Sequence, residues 1–302
     1  MNKLIMMPLL CSSFLFLLAC GSNKTNSKTL EQEVAQANTQ KTISQSYRVE
    51  TIAQFNEPWA ISSLPDQRLL ITERKGQLKL FDPKTKSIVN VSGVPAVSYG
   101  GQGGLGDVIL HPDFQNNHWL YLSYASKGQD GYGAEISRAK LDLSNPAQPK
   151  LTDLKTIWQQ VPKVSGQGHY GHRMMFGPDG KLWVSSGERQ KFDPAQDMQS
   201  NLGKVLRLND DATPVKDNPF IQQGGVTAQI WSLGHRNPLG MAFDPQGQLW
   251  VVEMGPKGGD ELNRIVKGEN YGYPIVSNGD HYSGLPIPDH HTHPEFKAPE
   301  ID

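Results

Sequence analysis

The sequence predicts an all-β protein of the β-propeller type, in which small sheets of similar design are arranged around a common axis. Four segments share one pattern: an apolar stretch, a turn containing proline or aspartate, and a second apolar stretch. Their spacing of roughly 45–70 residues is typical of propeller blades separated by insertions of variable length. No convincing amphipathic helical run follows residue 46. The four segments cover residues 59–71, 108–124, 174–184 and 241–252.

Each repeated segment has the composition of a strand, a turn and a second strand. In the third segment the turn contains Pro178 and Asp179; proline pre-sets the turn dihedral, and aspartate or glycine closes the turn. The flanking runs contain the β-branched and aromatic residues that strands favour. A β-sandwich also has many short strands, but repeats of one sequence type favour the propeller. We count about four blades, with the start of a fifth around residues 271–282.

The N-terminus has the pattern of an export signal. A charged start at residues 1–3 precedes an apolar run over residues 4–19, shorter than the about 20 residues that a bilayer span needs. The run ends in a small residue followed by Cys20, as in a bacterial lipobox. We therefore expect a signal peptide over 1–19 and a lipidated Cys20, with a plain secretory signal or an uncleaved helical anchor as alternatives. Cleavage would remove Cys11, so the mature chain could form no internal disulfide.

The expected lipoprotein would lie on the periplasmic side of a membrane, the outer membrane, and contact it only through its lipid. Residues 20–46 are polar and have few large apolar side chains, which is typical of a flexible tether. Residues 47–302 have the length of one large all-β domain. The net charge is −1 and no basic block occurs, so nothing in the charge favours a nucleic acid as a partner.

Four polar, glycine-rich segments between the repeats are candidates for the loops at one mouth of the propeller. The first, 99–106, contains Gln102, although by itself this segment favours a flexible turn; the second, 168–173, contains His169 and His172. A histidine where a loop meets a strand can act as a general base near neutral pH. The two histidines give two candidate bases, whereas metal binding by the pair alone is weakly supported because no third ligand accompanies them.

The other two segments suggest the binding of an anion and of a hard cation. Residues 233–240 contain Arg236 and Asn237, and arginine offers a planar fork to a carboxylate. Residues 253–261 combine carboxylates with the backbone carbonyls of Gly255 and Pro256, a set of oxygens that suits Ca²⁺. A solvated acidic turn is the alternative for this last segment.

Taken together, these segments resemble the glucose/sorbosone dehydrogenase family, the soluble aldose sugar dehydrogenases that depend on pyrroloquinoline quinone (PQQ). The resemblance runs from about residue 58 to residue 282. Its most specific parts are residues 101–105, 111–114, 203–208, 234–238, 260–261 and 270–272.

The resemblance implies a six-bladed propeller that binds PQQ at the top of its channel beside a Ca²⁺ ion. It implies that an aldose is oxidised at C1 to a lactone, that the electrons pass on to an acceptor the sequence does not identify, and that a second Ca²⁺ is structural. The implied general base is His169, with Arg236 stabilising negative charge on the quinone. The implied PQQ contacts are Gln102, Arg236, Asn237 and Tyr282, and the implied Ca²⁺ ligands are Gly255 and Pro256 at the cofactor and Glu261 and Tyr271 at the second ion.

One departure from the family pattern concerns the C-terminal part. Further PQQ-binding lysines and arginines occur in the last blades of the family and have no counterpart in this sequence. We therefore expect a chain of roughly four to five blades without the C-terminal part of the propeller, which folds poorly and binds PQQ weakly. Two other functions stay open: a Ca²⁺-dependent propeller lactonase or other hydrolase, and a non-catalytic binding propeller at the cell surface.

Overall fold

Residues 48–302 are described by a computed structural model, in which Thr51–Asp302 form one unit whose regular secondary structure is almost entirely β-strand. The predicted signal peptide, Cys20 and the tether lie outside these residues. Across residues 48–302 the structure has no helix with the length and apolarity needed to cross a membrane.

The strands form four antiparallel sheets, each of them continuous in sequence. One short helix, α1 (Phe114–Asn117), and 3₁₀ turns at Asp193–Ala195, Ile221–Gln223, Thr227–Gln229 and His290–Thr292 complete the regular structure of this part of the chain. Blade 1 contains β1 (Pro58–Ser63), β2 (Leu69–Glu73), β3 (Gln77–Asp82) and β4 (Ser87–Val91); blade 2 contains β5 (Leu105–Leu110), β6 (Trp119–Lys127), β7 (Tyr132–Asp142) and β8 (Lys150–Gln159); blade 3 contains β9 (Gly171–Phe176), β10 (Leu182–Ser186), β11 (Lys204–Leu208) and β12 (Ile230–Leu233); blade 4 contains β13 (Pro238–Phe243), β14 (Leu249–Glu253) and β15 (Glu261–Arg264).

The first strands of the four blades lie side by side: β1 contacts β5, β5 contacts β9, and β9 contacts β13. This arrangement confirms the predicted propeller, and the four predicted strand–turn–strand segments correspond to the first two strands of the four blades. The count of six blades goes beyond the four sheets and stays a prediction. Residues 271–282, where the sequence suggests the start of a fifth blade, form turns and isolated bridges instead of a strand.

In three of the four blades, the recurring aspartate of the repeats closes the turn at the end of the first hairpin that lies away from the site. The Oδ1 atoms of Asp66, Asp179 and Asp244 each accept the backbone N–H two residues later, at 3.0, 3.1 and 2.9 Å. Such Asx turns satisfy a backbone donor that the strands leave unpaired. Because these turns occupy one end of the hairpins, the longer glycine-rich loops gather at the other end.

The core is a series of apolar layers between neighbouring blades. Side chains alternate between the two faces of a strand, so Leu120 and Leu122 of β6 pack towards blade 1, whereas Tyr121 packs towards blade 3. In the same way Val184 of β10 faces blade 2 and Trp183 faces blade 4. Each inner blade is therefore buried on both faces, which explains why its strands are apolar almost throughout.

The burial of both faces predicts a large effect of a cavity in blade 2. Leu122 is fully buried between blades 1 and 2, so Leu122→Ala should lower the free energy of unfolding by about 2–5 kcal/mol in urea denaturation. Leu154 on β8 is 42% exposed, and Leu154→Ala serves as the control, with an expected change of about 0.5 kcal/mol or less. Equal effects of the two substitutions would contradict the layered core.

Candidate active site

A cavity of about 470 Å³ opens at the end of the propeller where β9 and β13 begin. Loops from blades 1 to 4 reach it, although they lie far apart in the sequence. Five of the residues singled out from the sequence line this cavity: Gln102, His169, Arg236, Pro256 and Tyr282. The other lining residues are Glu188, Gln190, Phe192, Met254, Tyr273, His281 and Ser283.

His169 lies in the loop before β9, with its ring buried against a carboxylate. Its Nδ1 atom is 2.5 Å from Oε1 of Glu188, and its backbone N–H donates to Oε1 of Gln102 at 2.7 Å. The ring's Nε2 makes no hydrogen bond to residues 48–302. Because an ionised carboxylate can only accept, Nδ1 carries a proton, and in the neutral form of the ring Nε2 has a free lone pair.

Glu188, which the sequence reasoning missed, lies two residues after the end of β10 and has no exposed surface. Burial raises the pKa of this carboxyl, but the hydrogen bond from His169 and those from the backbone amides of Phe192 and Lys191 outweigh burial, so the pKa is lowered. These amides lie 2.8 and 2.5 Å from Oε2. Glu188 is therefore ionised at neutral pH and both of its oxygens are held in place. A charged residue within two positions of the end of an apolar strand, at the loop end of a blade, is the signal that could have identified it.

His172, the second candidate base, lies outside the cavity. Its Nδ1 is 2.8 Å from Oγ of Ser123, and its ring stacks on Trp59 with the centres 4.8 Å apart. Burial, together with the charges of Arg173 and Arg189, lowers the pKa of His172 to about 3. The ring is neutral and belongs to the packing of the inner strands.

The glycine-rich segment before β5 brings Gln102 close to the loop that carries His169. Gly101 has a φ of 52°, and a Cβ there would lie 2.4 Å from the carbonyl oxygen of Gln167. The backbone N–H of Gln102 donates to that same oxygen at 2.8 Å. Glycine is therefore required for the two loops to approach, which places the Gln102 side chain beside His169.

Arg236 reaches the cavity from the loop between β12 and β13. One Nη atom donates to the carbonyls of Met254 and Gly255 at 2.8 and 2.5 Å, while its Nε is buried without a hydrogen-bond partner. The guanidinium lies 5.9 and 5.8 Å from the ring centres of Tyr273 and Tyr282. The site thus has one arginine with a free donor between two aromatic rings.

Asn237, predicted to contact a cofactor, is buried behind the cavity wall. Its Oδ1 accepts the backbone N–H of Gly171 at 3.1 Å, and its carbonyl accepts the N–H of Met254 at 3.1 Å. It therefore connects the start of β9 to the loop after β14. The neighbouring His235 is also part of the framework, with Nδ1 2.9 Å from Glu253 and Nε2 2.8 Å from Ser232.

The residues predicted to bind calcium lie on three segments: the loop after β14, strand β15 and the turn around Tyr271. Pro256 lines the cavity, and the carbonyl of Gly255 faces Arg236. Glu261 lies on β15 opposite Glu253; burial, followed by the charge of Glu253, raises its pKa. The carbonyl of Tyr271 is 3.0 Å from Nε2 of His290. Within residues 48–302 no group of three or more histidine, cysteine, aspartate or glutamate side chains is arranged around a metal position.

Comparison with proteins of known sequence gives several relatives that match most of the chain. Aldose sugar dehydrogenase YliI of Escherichia coli is 43% identical over 240 residues, which is 78% of this chain and 63% of that protein. Quinoprotein glucose dehydrogenase B of Acinetobacter calcoaceticus is 34% identical over 259 residues, which is 77% of this chain and 53% of that protein. The chain thus spans between about half and two thirds of the length of these two relatives.

Solved structures with the same fold include two aldose sugar dehydrogenases. The soluble enzyme from Escherichia coli, in its apo form, superposes with a TM-score of 0.72 at 42% identity and covers 80% of this chain and 68% of that one. The PQQ-bound form from Streptomyces coelicolor superposes with a TM-score of 0.69 at 33% identity, covering 80% and 70%. The profile of the family described as Glucose / Sorbosone dehydrogenase matches residues 55–302. This chain therefore belongs to the glucose/sorbosone dehydrogenase family.

Proposed function

We propose that this protein is a PQQ-dependent aldose sugar dehydrogenase, in which His169 removes the proton of the sugar C1 hydroxyl. The observation that carries the proposal is the buried pair of His169 and Glu188. The His169 ring, whose Nε2 has no protein partner in residues 48–302, lines the same cavity as Arg236. The names of the relatives, aldose sugar dehydrogenase and quinoprotein glucose dehydrogenase, support the same reaction.

The cavity has the chemistry that PQQ requires. PQQ is a planar, aromatic tricarboxylate, and Arg236 offers it a buried Nε that has no other partner. Tyr282 and Phe192 supply aromatic surface at the cavity rim, and Gln102 supplies an amide beside His169. Because Arg236 is the only arginine or lysine lining this cavity, we expect residues 48–302 alone to bind PQQ weakly.

The proton chemistry follows from the tautomer that Glu188 fixes. With Nδ1–H donating to the carboxylate, Nε2 can accept the proton of the C1 hydroxyl, and the imidazolium that forms is stabilised by the ionised Glu188 at 2.5 Å. PQQ, when bound, would accept the two electrons and the hydrogen that leave C1. The sugar is thereby oxidised to its lactone, and the proton stays on His169 until it is released to solvent.

Ca²⁺ prefers oxygen ligands, and the chain provides them as backbone carbonyls at Gly255 and Pro256 and as a carboxyl group at Glu261. The Gly255 and Pro256 carbonyls are hard donors beside the cavity, where a bound Ca²⁺ would supply a Lewis acid. At Glu261, burial and the neighbouring Glu253 raise the pKa of the carboxyl and so disfavour its ionised form, and the Oδ1 of the neighbouring Asn263 is buried without a partner. A bound divalent cation would favour the ionised carboxylate of Glu261 and use that oxygen, which supports the proposed structural Ca²⁺ at Glu261 and Tyr271.

We also propose that the protein is exported and anchored to a membrane, the outer membrane, by lipid on Cys20. The support is the apolar run of residues 4–19 that ends directly at Cys20.

The first experiment tests the activity itself. The purified protein, supplied with Ca²⁺ and excess PQQ, should reduce an electron-accepting dye when aldoses are added, and a chelator should abolish the reduction. No dye reduction at any PQQ concentration would contradict the proposal. Lactone hydrolysis without PQQ would support the hydrolase, and sugar binding without turnover would support the binding propeller.

The second prediction concerns the base. His169→Ala should lower turnover by about a hundredfold or more and leave PQQ binding nearly unchanged, because the substitution removes the proton acceptor and little else. Dye reduction and a PQQ titration measure the two effects. His291→Ala is the matched control, since the His291 side chain is 78% exposed and lies outside the cavity. Wild-type turnover in His169→Ala would show that another group is the base.

The third prediction concerns the anchor. Cys20→Ala should abolish incorporation of labelled lipid and release the protein from the membrane fraction. The reason is that, under this proposal, the lipid on Cys20 is the only contact of the wild-type protein with the bilayer. Cys11→Ala, a change within the apolar run, should leave both unchanged. Membrane association of the Cys20→Ala protein equal to wild type would exclude the lipid anchor.

A further inference from the structure

Arg189, the residue after Glu188, is among the largest fully buried side chains of residues 48–302. Its guanidinium donates three hydrogen bonds, all to backbone carbonyls. Nε donates to Gly168 at 2.8 Å, one Nη donates to Gly166 at 2.7 Å, and the other donates to Tyr132. The group also lies over the ring of Tyr170, 3.8 Å from its centre.

This arrangement is unusual for a buried cation, because buried charges are ordinarily paired with a carboxylate. No salt bridge links Arg189 to a carboxylate in the part of the chain that the structure describes. Burial lowers its pKa, but an arginine stays protonated in proteins, so the charge is retained. The fold therefore keeps a desolvated charge that donates only to backbone carbonyls, two in the loop before His169 and one at the start of β7.

The carbonyls of Gly166 and Gly168 belong to the loop that ends in His169. The backbone of Arg189 itself donates to the carbonyl of His169 at 3.2 Å, and the N–H of Gly187 donates to that of Tyr170 at 3.1 Å. His169 and Arg189 both have left-handed backbones, with φ of 45° and 65°. Non-glycine residues keep such conformations only where the surrounding contacts impose them.

We propose that Arg189 is a positioning residue that holds His169 in hydrogen-bond contact with Glu188. Its side chain joins the loop before His169 to the loop that carries Glu188, so the two ends of the 2.5 Å hydrogen bond are fixed by one guanidinium. The relevance for catalysis rests on the proposed function of His169. The claim that Arg189 holds His169 in contact with Glu188 does not depend on that function, and it can be tested on the protein without PQQ.

The proton between His169 and Glu188 gives a direct readout by NMR. A buried imidazole N–H that donates to a carboxylate over a short distance resonates at low field. Two such histidines occur here, His169 with Glu188 at 2.5 Å and His235 with Glu253 at 2.9 Å. The His169→Ala spectrum assigns the first signal, and the second serves as an internal reference for an intact fold.

Arg189→Gln removes the charge and the fork, and Arg189→Lys keeps the charge but offers a single donor nitrogen. In both we expect the His169 signal to move upfield or to broaden, while the His235 signal stays in place. If Arg189→Gln does not fold, Arg189→Lys decides the question. A His169 signal at its wild-type position in either folded variant overturns the proposal, and so does an equal disturbance of both signals, which indicates a general structural role.

Steady-state kinetics of the protein supplied with PQQ and Ca²⁺ provide a second measurement. A misplaced base should lower kcat by about tenfold or more with little change in the KM for sugar, because substrate binding does not need the proton acceptor. Arg207→Lys is the matched control: Arg207 is a buried arginine of the same blade, bound to Asp179 and Asp217 away from the cavity. A wild-type kcat in Arg189→Lys contradicts the positioning role. Absence of sugar oxidation in the wild type refutes the proposed function alone, and the NMR result still decides the role of Arg189.

Discussion

The hydrogen bond between His169 Nδ1 and Glu188 Oε1 is the contact on which the arrangement of the site depends. It joins the loop before β9 to the loop after β10, two strands that are already paired in one blade. Each partner has further hydrogen bonds: the backbone N–H of His169 donates to the Gln102 side chain, and two backbone amides donate to Glu188. The pair therefore has a defined distance and a defined tautomer, which are the two properties that a general base needs before substrate arrives.

Buried polar side chains give the loops at this end of the propeller their structure, because the loops lack the hydrogen-bond ladder of the sheets. Asn201 accepts the N–H of Val161 and donates to the carbonyl of Gln159. Lys204 is fully buried and donates to three carbonyls, those of Pro194, Ala195 and Leu202. Each side chain satisfies backbone groups that burial would otherwise leave without partners. The same principle explains the three carbonyls bound by Arg189.

Much of the fold could be predicted from sequence because it is encoded locally. The alternation of side chains along β6 and the aspartate turns at Asp66, Asp179 and Asp244 are each contained within a few residues. The isolated turns of 271–282 were not predictable in this way, since their apolar and aromatic residues resemble a strand but pack on loops from blades 3 and 4.

The site was only partly predictable, for a physical reason. His169 and Arg236 could be proposed because each side chain has a chemistry of its own and lies next to a strand, whereas Gln102 could be proposed only from the family resemblance. The partner of Glu188 is His169, which is 19 residues away in sequence, so the contact between them follows from the pairing of β9 with β10 and not from a local pattern. Tyr273 and Phe192 likewise line the cavity through the packing of loops from different blades.

Arg236 connects the proposed cofactor site to the framework of blade 4. Its backbone N–H donates to Glu253, the carboxylate that also holds His235, and its side chain holds the carbonyl of Gly255. A carbonyl oxygen has two lone pairs, so Gly255 can accept from Arg236 and still offer an oxygen to Ca²⁺. Bound Ca²⁺ would nevertheless bring a second positive charge next to the guanidinium. The carboxylates of Glu253 and of PQQ would balance these charges, so the metal and the quinone are expected to bind more tightly together than either does alone.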